Sequence, residues 1–388
     1  MTRRFTQIME NMRGLIKDDS WSASSGFLLA VSGGMDSMCM ADLFLSEFGP
    51  EAFAIAHCNF HLRGEESDGD ETLVRNWADS NGVRFHRTDF DTEGHAAGNA
   101  VSIEMAARDL RYGWFAKLCG EFGYRAVVVA HNANDNAETL VLNLLRGTGL
   151  KGLHGMAEVS SLTASQGTFL LRPLLSFSRK QIEGHVFANK VPYRDDSTNA
   201  LCEYKRNRIR NEVFPIFEKI NPSFVRSLNR EIGYFSEAGD IVEDWCRAQL
   251  PEVVEITENK VRINLPALMA RRQWRYLLYY IVEPYGFNSQ TLASIEALLE
   301  SDRTISGKRF DSPTHTIITE RDGLLLLPKM AADLDVESIM PVRGSGIYNF
   351  NGSRWQVEVL EWSEDMPLKQ PNGTFIADAD KLLLPCVC

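Results

Sequence analysis

Three features that would each mark a class of protein are missing from this sequence. No run of about 18 apolar residues is present, so we expect no membrane-spanning helix. The seven cysteines include no Cys-x-x-Cys pair, which argues against a zinc site or a disulfide scaffold and favours a reducing cytoplasm. The net charge of −11 argues against indiscriminate binding of nucleic acid. The 388 residues are enough for two or three domains of a cytoplasmic globular protein.

Positive charge is scarce overall, but it is concentrated in one part of the chain. Residues 170–230 contain twelve Lys and Arg and six Asp and Glu. A basic segment in an acidic protein is typical of a local RNA-binding face, but an ordinary solvated helix face has the same composition. Both interpretations stay open on charge alone.

One short segment near the N-terminus carries the most information. The apolar residues 27–31 predict a buried strand, and Ser-Gly-Gly-Met-Asp-Ser at 32–37 predicts a tight turn that enters a helix. Gly33 and Gly34 allow the backbone to approach an anion closely. The N-terminus of the following helix adds free N–H groups and a partial positive charge. This combination predicts a phosphate site.

The polar side chains of the same turn support that prediction. The hydroxyls of Ser32 and Ser37 are further donors, and the carboxylate of Asp36 suits a magnesium ion that bridges phosphates. The alternative is a glycine-containing turn without a ligand. A following Gly-Lys-Ser/Thr, which a Walker loop would need, is not present.

Strand-like and helix-like segments alternate through the first half of the chain. Strands are predicted at 27–31, 53–57, 84–88, 126–130 and 169–171, and helices at 37–47, 67–80, 102–122, 135–145 and 178–189. This alternation predicts an α/β fold with a doubly wound, Rossmann-like parallel sheet, which binds ligands at the carboxyl ends of its strands. The loops that begin at Ser32, His57 and His131 should therefore lie close together.

The pattern changes after residue 212. Long amphipathic stretches at 223–250 and 271–299 predict a mainly helical second domain, with one or two β-hairpins between and after them. A partial C-terminal α+β segment follows, with strands predicted at 346–350, 355–362 and 374–377. The predicted domains are 1–212, 213–330 and 331–388.

A basic residue on a predicted helix is a second candidate for the site. Helical spacing places Glu104, Arg108 and Arg111 on one face. Arg111 suits bidentate contact with a carboxylate or a phosphate. The alternative, a solvated helix face with one ion pair, stays open.

Two carboxylates follow the strand at 126–130. His131, Asp135 and Glu138 are spaced by four and three residues, so they share one face if the helix extends back far enough. At the carboxyl end of a strand, the carboxylates of Asp135 and Glu138 suit a cationic substrate or magnesium. N-capping with a polar first turn is the alternative.

Clustered cations occur in two further segments. One is a glycine-rich helix exit, and the other, 204–210, has four cations in seven positions. Contact with phosphates is one interpretation, and a solvated charged helix is the other. The cations are Arg146, Lys205, Arg206, Arg208 and Arg210.

Together these segments resemble the tRNA(Ile)-lysidine synthetase family. The turn Ser-Gly-Gly-x-Asp-Ser is similar to the signature loop of the N-type ATP pyrophosphatases, the PP-loop superfamily. The likeness to the family itself is carried by Asp-x-x-Glu-Thr at 135–139, Leu-Leu-Arg-Gly-Thr-Gly at 144–149 and Tyr-x-Arg-Asn-x-Ile-Arg at 204–210. It covers roughly the first 220 residues well and the helical part more loosely.

The resemblance implies a fold of the adenine nucleotide alpha hydrolase type and an ATP-dependent ligase. Members of the family adenylate the C2 oxygen of the wobble cytidine in tRNA(Ile) with a CAU anticodon. The ε-amine of L-lysine then displaces AMP, which gives lysidine, AMP and pyrophosphate overall. Codon reading changes from AUG to AUA, and tRNA identity changes from methionine to isoleucine. The implied cofactors are ATP and Mg²⁺, no membrane is involved, and a homodimer is allowed.

Individual roles are also implied by the resemblance. ATP binding falls to the turn, namely Ser32, Gly33, Gly34, Met35, Asp36 and Ser37. Asp36, Arg111 and His131 match family positions at the reacting centre, and Asp36 would hold Mg²⁺. Asp135 and Glu138 match lysine-holding positions. Contacts with tRNA are expected from Arg146, Lys205, Arg206, Arg208 and Arg210.

The chain departs from the family pattern in two places. Many relatives have His-His-x-Asp-Asp where this chain has His131-Asn132-Ala133-Asn134-Asp135, so two positions near the expected metal are asparagines. Many bacterial members also continue past a segment like 378–382 into a further C-terminal domain. We expect residues 331–388 to be the beginning of that domain and the chain to be truncated.

Three other functions remain as alternatives. A tRNA thiolase of the same superfamily would need a catalytic cysteine or an iron–sulfur Cys-x-x-Cys, and we expect no cysteine at a strand end. A small-molecule amide ligase would not need the cations at 204–210. The third is a truncated, weakly active tRNA-binding remnant.

Overall fold

Buried apolar strands form the centre of the N-terminal part of the chain. The computed structural model describes residues 1–16, 26–62, 64–164, 167–195, 205–257, 260–301, 306–329, 341–342, 345–350, 353–360 and 386–387. The chain divides into two units, Met1–Glu243 and Asp244–Cys388. The predicted domain limits at 212/213 and 330/331 stay predictions.

The first unit contains a six-stranded sheet in the order β3-β2-β1-β4-β6-β5. Its strands are β1 (Phe27–Ala30), β2 (Phe53–Asn59), β3 (Arg84–Asp89), β4 (Ala126–Val128), β5 (Val159–Ser161) and β6 (Phe169–Leu171). All neighbours pair in parallel except β5, which is antiparallel to β6. The chain moves from β1 to β2 on one side and later to β4 on the other, so the doubly wound parallel sheet is confirmed.

Helices cover both faces of this sheet. The helices of this unit are α1 (Thr2–Leu15), α2 (Met35–Phe48), α3 (Glu65–Asn81), α4 (Thr92–Asn99), α5 (Ile103–Phe122), α6 (Ala133–Arg146), α7 (Leu150–Leu153), α8 (Arg179–Asn189), α9 (Lys205–Arg208), α10 (Phe214–Ile220) and the first part of α11 (Phe224–Val253), which ends in the second unit. Leu29 and Ile55 pack with α1, α2 and α8 on one face. Leu28 and Ala54 pack with α5 on the other, as the alternation of side chains along a strand requires.

The sequence predicted each parallel strand and the helices α2, α3, α5, α6 and α8, with ends that differ by three residues or fewer. It missed α1, α4 and β5. The signal for α1 was present, because Phe5, Met9, Met12 and Ile16 follow the helical spacing of four, three and four residues, and all four are buried.

The second unit contains more strand than the sequence predicted. Its five-stranded antiparallel sheet has the order β7-β8-β11-β10-β9. These strands are β7 (Val254–Thr257), β8 (Lys260–Asn264), β9 (Arg309–Asp311), β10 (His315–Thr319) and β11 (Gly323–Pro328). The helices are α12 (Leu265–Met269), α13 (Trp274–Val282) and α14 (Ser289–Leu299).

The helix predicted at 271–299 is interrupted. A short 3₁₀ turn, Glu283–Tyr285, contains a proline and is followed by Gly286 with φ of +78°, which ends the helix.

Short strands complete the second unit. They are β12 (Pro341–Val342), β13 (Gly346–Phe350), β14 (Ser353–Val357) and β15 (Cys386–Val387). The predicted strand at 374–377 lies outside the described residues. In the part of the chain that the structure describes, no helix combines the length and apolar character that crossing a bilayer requires.

Candidate functional site

The turn between β1 and α2 is held by its own serines. The backbone N–H of Ser32 donates to Ser37 Oγ at 3.2 Å, and that hydroxyl donates to the carbonyl of Gly34 at 2.9 Å. Gly34 is the N-cap of α2, and no side chain caps this helix. The N–H groups of its first turn are therefore oriented toward any anion that enters the turn.

Gly33 is the position of this turn that requires glycine. Its φ is +96°, and a Cβ there would lie 3.3 Å from the Cβ of Asp70. Arg194 fixes both residues, since its backbone N–H donates to the Gly33 carbonyl at 3.0 Å and its Nε donates to Asp70 Oδ1 at 3.0 Å. The Asp70–Arg194 ion pair thus braces the turn.

The N-terminus of α6 follows β4 and carries a capping box. The Asn132 side-chain oxygen accepts from the backbone N–H groups of Asn134 at 2.8 Å and Asp135 at 3.2 Å. Asp135 Oδ2 accepts from the backbone N–H of Asn132 at 3.0 Å. The capping interpretation of this segment is therefore correct for Asp135, but it occupies only one of its two carboxylate oxygens.

The second oxygen of Asp135 contacts a guanidinium. Arg210 Nη2 donates to Asp135 Oδ1 at 3.1 Å and to Glu138 Oε2 at 3.1 Å, and its Nε donates to Glu138 Oε1 at 2.7 Å. The Glu138 side chain is fully buried, and that of Arg210 is 28% exposed. Burial raises the pKa of Glu138, while hydrogen bonds from Arg210 favour its ionised form.

Arg210 reaches this position from a distorted helix. A π-helical turn, Ile209–Val213, separates α9 from α10. Ile209 and Phe214 on either side of Arg210 pack against Ala137 and Leu142 of α6. Single π-turns within helices are frequent at functional sites. The sequence placed Arg210 in an RNA-binding group, whereas the structure places its guanidinium on the two carboxylates.

Asp36 lies close enough to Asp135 and Arg210 for their charges to shift its pKa. Burial raises the pKa of Asp36, and the carboxylate of Asp135 raises it further, while Arg179 and Arg210 act in the opposite direction. Among the described residues, Asp36 Oδ1 is buried and has no hydrogen-bond partner.

A cation is the ligand that such an oxygen fits. Mg²⁺ is commonly held by one or two carboxylates together with phosphate oxygens and water. No group of three or more His, Cys, Asp and Glu suited to a metal ion occurs in the described ranges. Asp36 is therefore suited to a Mg²⁺ that arrives with phosphates, and asparagine at 132 and 134 adds no further anionic ligand.

His131 and Arg111 occupy the same edge of the sheet. Burial lowers the pKa of His131 to about 4, and the charges of Arg172, Arg206 and Arg111 also oppose its protonation. Within the described part of the chain, His131 Nδ1 is buried without a hydrogen-bond partner. The Arg111 guanidinium lies over the Phe60 ring, 5.2 Å from its centroid. Arg111 is therefore oriented by an aromatic ring.

The cations predicted to bind RNA have different partners. Arg206 donates to the hydroxyl of Thr139 at 3.2 Å, and Arg208 pairs with Glu212 of the same helical segment at 3.3 Å. Arg146 is exposed at the end of α6. The side chain of Lys205 lies outside the described residues. Contact of these residues with tRNA stays a prediction.

A large cleft in the first unit opens beside the carboxylates. Its volume is about 1400 Å³, and Ala133, Asn134 and Arg210 lie in its wall. Pockets for small ligands have volumes of about 300–1,000 Å³. The cleft therefore has room for a ligand larger than ATP or an amino acid.

One cysteine corrects an expectation from the sequence. Cys58 is the last residue but one of β2, so a cysteine does lie at a strand end. Burial raises its pKa to about 12, which keeps the thiol protonated at neutral pH. An unreactive thiol does not favour the thiolase alternative.

Comparison with known proteins identifies the family. The family profile of the PP-loop domain matches residues 1–217, and that of the TilS substrate binding domain matches 256–329. A tRNA(Ile)-lysidine synthase from Porphyromonas gingivalis strain W83 is 39% identical over 366 residues, which cover 92% of this chain and 75% of the relative. The chain belongs to the tRNA(Ile)-lysidine synthase family.

Two further relatives of this family show similar coverage. The tRNA(Ile)-lysidine synthase of Parabacteroides distasonis is 35% identical over 92% of this chain and 78% of its own length. That of Bacteroides thetaiotaomicron is 35% identical over 96% of this chain and 80% of its own length. The resemblance identified from the sequence is therefore confirmed.

The residues that support the site from distant parts of the chain were not predicted from the sequence. Asp70 and Arg194 are 124 positions apart, and no local pattern links them. Asn132 was identified only as a departure from the family, although Asn at the start of a helix is a strong N-cap signal. That signal was sufficient to predict the observed cap.

We expect Gly33→Ala to destabilise the fold more than Gly34→Ala. Position 33 requires a positive φ, at a cost of about 1–2 kcal/mol for a residue with a Cβ. Gly34 has φ of −74°, and a Cβ there would lie 3.6 Å from Ser32 Oγ, an ordinary contact. Urea unfolding of both variants measures the difference. Equal losses would show that strain at Gly33 does not constrain the turn.

We expect the pH dependence of catalysis to lack a step from His131 near pH 6.5. Because burial lowers its pKa to about 4, the imidazole is neutral above pH 5 and becomes charged only in more acidic solution. Single-turnover rates between pH 5.5 and 8, compared for the wild type and His131→Gln, test this. A limb near pH 6.5 that disappears in the variant would contradict the neutral imidazole.

Proposed function

We propose that this chain is an ATP-dependent ligase that attaches lysine to C2 of the wobble cytidine in tRNA(Ile) with a CAU anticodon. Membership of the family supports the reaction. The single structural observation that carries the proposal is the meeting of a phosphate-binding turn with a buried group of carboxylates at one sheet edge. The turn suits the phosphates of ATP, and the carboxylates suit the ammonium group of lysine.

The first step joins cytidine and ATP. The C2 oxygen of cytidine attacks the α-phosphorus of ATP, the bond to the β-phosphate breaks, and pyrophosphate leaves. We propose that the N–H groups at the start of α2 and the hydroxyl of Ser32 bind the phosphates. Asp36 would hold Mg²⁺, which neutralises phosphate charge when it is bound. Arg111 would contact an anionic group of the substrates.

The second step requires a cationic amino acid beside the adenylated base. The lysine ε-amine attacks C2, the bond from C2 to the AMP oxygen breaks, and the amine loses a proton. When ionised, Asp36, Asp135 and Glu138 carry three negative charges, of which Arg210 balances one. The group therefore attracts a further cation even though Arg210 already contacts two of its members.

Arg210 already occupies the carboxylates that we propose bind lysine. Because its guanidinium bonds both Asp135 and Glu138, a lysine ammonium either joins this contact or displaces Arg210 from it. Neutral His131 nearby is able to accept a hydrogen bond. We propose that it orients the incoming amine.

Cytoplasmic location and a homodimer complete the proposal. ATP and tRNA are cytoplasmic substrates, and the cysteines at 39, 58 and 119 are free thiols. The homodimer stays a prediction that sedimentation of the purified chain measures.

The reaction is tested by mass spectrometry of tRNA(Ile) incubated with the protein, ATP and lysine. We expect a mass gain of one lysine residue that depends on all three substrates. A sulfur-for-oxygen gain would support a thiolase instead, and binding without any mass gain would support a remnant that only binds tRNA.

Asp36→Asn should abolish ATP–pyrophosphate exchange in the presence of tRNA without lowering the melting temperature. The substitution removes a buried charge whose Oδ1 has no partner among the described residues, so little stability is lost. Asp42→Asn on the same helix is the matched control. It removes the negative charge that faces His185 Nε2 at 2.8 Å, and it should lower the melting temperature but leave exchange intact. Exchange by Asp36→Asn near the wild-type rate would overturn the role of Asp36.

Glu138→Gln and Asp135→Asn should raise KM for lysine more than KM for ATP. Each substitution keeps an oxygen acceptor for Arg210 but removes a charge that attracts the ammonium. Loss of a charged hydrogen bond costs about 1.5–3 kcal/mol, which corresponds to a rise of about ten- to hundred-fold in KM. Steady-state kinetics with each substrate varied in turn measure the split. A rise confined to ATP would show that these carboxylates serve the nucleotide.

A further inference from the structure

The cleft beside the carboxylates is positively charged in an otherwise acidic protein. Two carboxylates, Glu158 and Glu218, line it. Its cations outnumber them, and they are Arg4, Lys151, Lys180, Arg210, Arg226 and Arg230. The whole chain carries a net charge of −11, so this excess of positive charge is local. A cleft of this sign concentrates an anionic ligand.

Three of these cations are available for a ligand. Arg210 contacts Asp135 and Glu138, Arg230 pairs with Glu231 at 3.2 Å, and Lys151 also interacts within the protein. In contrast, no salt bridge within the described ranges involves the side chains of Arg4, Lys180 or Arg226, and all three residues are exposed.

The two arginines are oriented by neutral groups. The Arg4 guanidinium lies over the Phe177 ring, 5.0 Å from its centroid. Arg226 Nη2 donates to the hydroxyl of Ser223 at 3.4 Å. Both contacts position the guanidinium but leave most of its N–H donors unused, as a phosphate-binding arginine requires.

The cleft adjoins the proposed reaction site, because Arg210, which contacts Asp135 and Glu138, lies in its wall. Ala133 and Asn134, which begin α6, lie in its wall two residues and one residue before Asp135. Asn134 also connects α6 to α8, because its side-chain oxygen accepts from the backbone N–H of Arg179 at 3.1 Å. Lys180 is the next residue of α8. A polyanion that contacts Lys180 therefore lies beside the carboxylates of the reaction site.

We propose that Arg4, Lys180 and Arg226 bind the phosphate backbone of the tRNA on either side of the cytidine that is modified. This inference rests on the proposed function, and it assigns the RNA to a surface formed by α1, α8 and α11. A volume of about 1400 Å³ exceeds that of a small-molecule pocket and suits a single-stranded loop. The surface differs from the predicted 204–210 cluster, of which Arg208 and Arg210 contact carboxylates of the protein itself.

The test is a triple variant, Arg4→Gln, Lys180→Gln and Arg226→Gln, in the full chain. Its matched control is Arg84→Gln, Lys117→Gln and Lys190→Asn. These three residues are also exposed, form no salt bridge in the described part of the chain and lie outside the cleft. Asn is chosen for position 190 because φ is +54° there. Both variants lose the same charge.

Affinity for tRNA(Ile) is measured by filter binding across a salt series. The cleft variant should bind at least ten-fold more weakly at low salt. Its slope of log affinity against log salt should fall by about 2–3, near one for each phosphate that the protein no longer neutralises. The control should keep the wild-type slope. Melting temperature and ATP binding without RNA should be unchanged in both variants.

Two outcomes would overturn the inference. One is a cleft variant with the wild-type slope, and the other is an equal loss in both triple variants, which would show that only net charge matters. The proposed function is tested separately by the lysine mass gain in the wild type. If the wild type forms lysidine but the cleft variant keeps its slope, only the assignment of the RNA surface fails.

Discussion

Parallel pairing of β1 with β2 and β4 is the constraint on which the site depends. Leu29 lies opposite both Ile55 and Val128, so β1 and β4 end at the same edge of the sheet. The glycine turn and the start of α6 therefore emerge side by side, and their carboxylates interact. A shift of register by one residue would turn the side chains of the strand to the opposite faces and remove its buried set from the core. The apolar strands thus fix the position of the polar chemistry.

The charges at this edge oppose stability and favour function. Burial of Glu138 and Asp36 makes ionisation unfavourable, and the proximity of Asp135 adds repulsion for Asp36. Arg210 offsets part of that cost through three hydrogen bonds. A protein that needed only a stable core would place apolar residues here. Carboxylates that are kept buried despite this cost are typical of a site that binds cations.

Short sequence patterns predicted those parts of the site that consist of residues close together in the chain. The turn at 32–37, the carboxylates of α6 and the strands before them follow from composition and periodicity within short windows. The contact of Arg210 with Glu138 joins residues 72 positions apart, and that of Arg194 with Asp70 joins residues 124 apart. No spacing rule covers such distances, because they depend on how complete helices pack. The contact of Arg210 with the carboxylates was therefore not predicted, because sequence patterns relate only residues that are close together in the chain.

The asparagines at 132 and 134 show how the charge of the site is limited. Both side-chain oxygens accept backbone N–H groups, Asn132 at the start of α6 and Asn134 from Arg179 at the start of α8. An aspartate oxygen would accept the same backbone bonds, but only the amide of Asn132 is able to donate the side-chain hydrogen bond that lowers the pKa of Asp36. A second difference is electrostatic, because aspartates here would add two negative charges beside Asp36, Asp135 and Glu138. With asparagines instead of aspartates, Arg210 and one incoming cation neutralise a larger share of the negative charge at the site. The phosphate oxygens of a substrate are then repelled less.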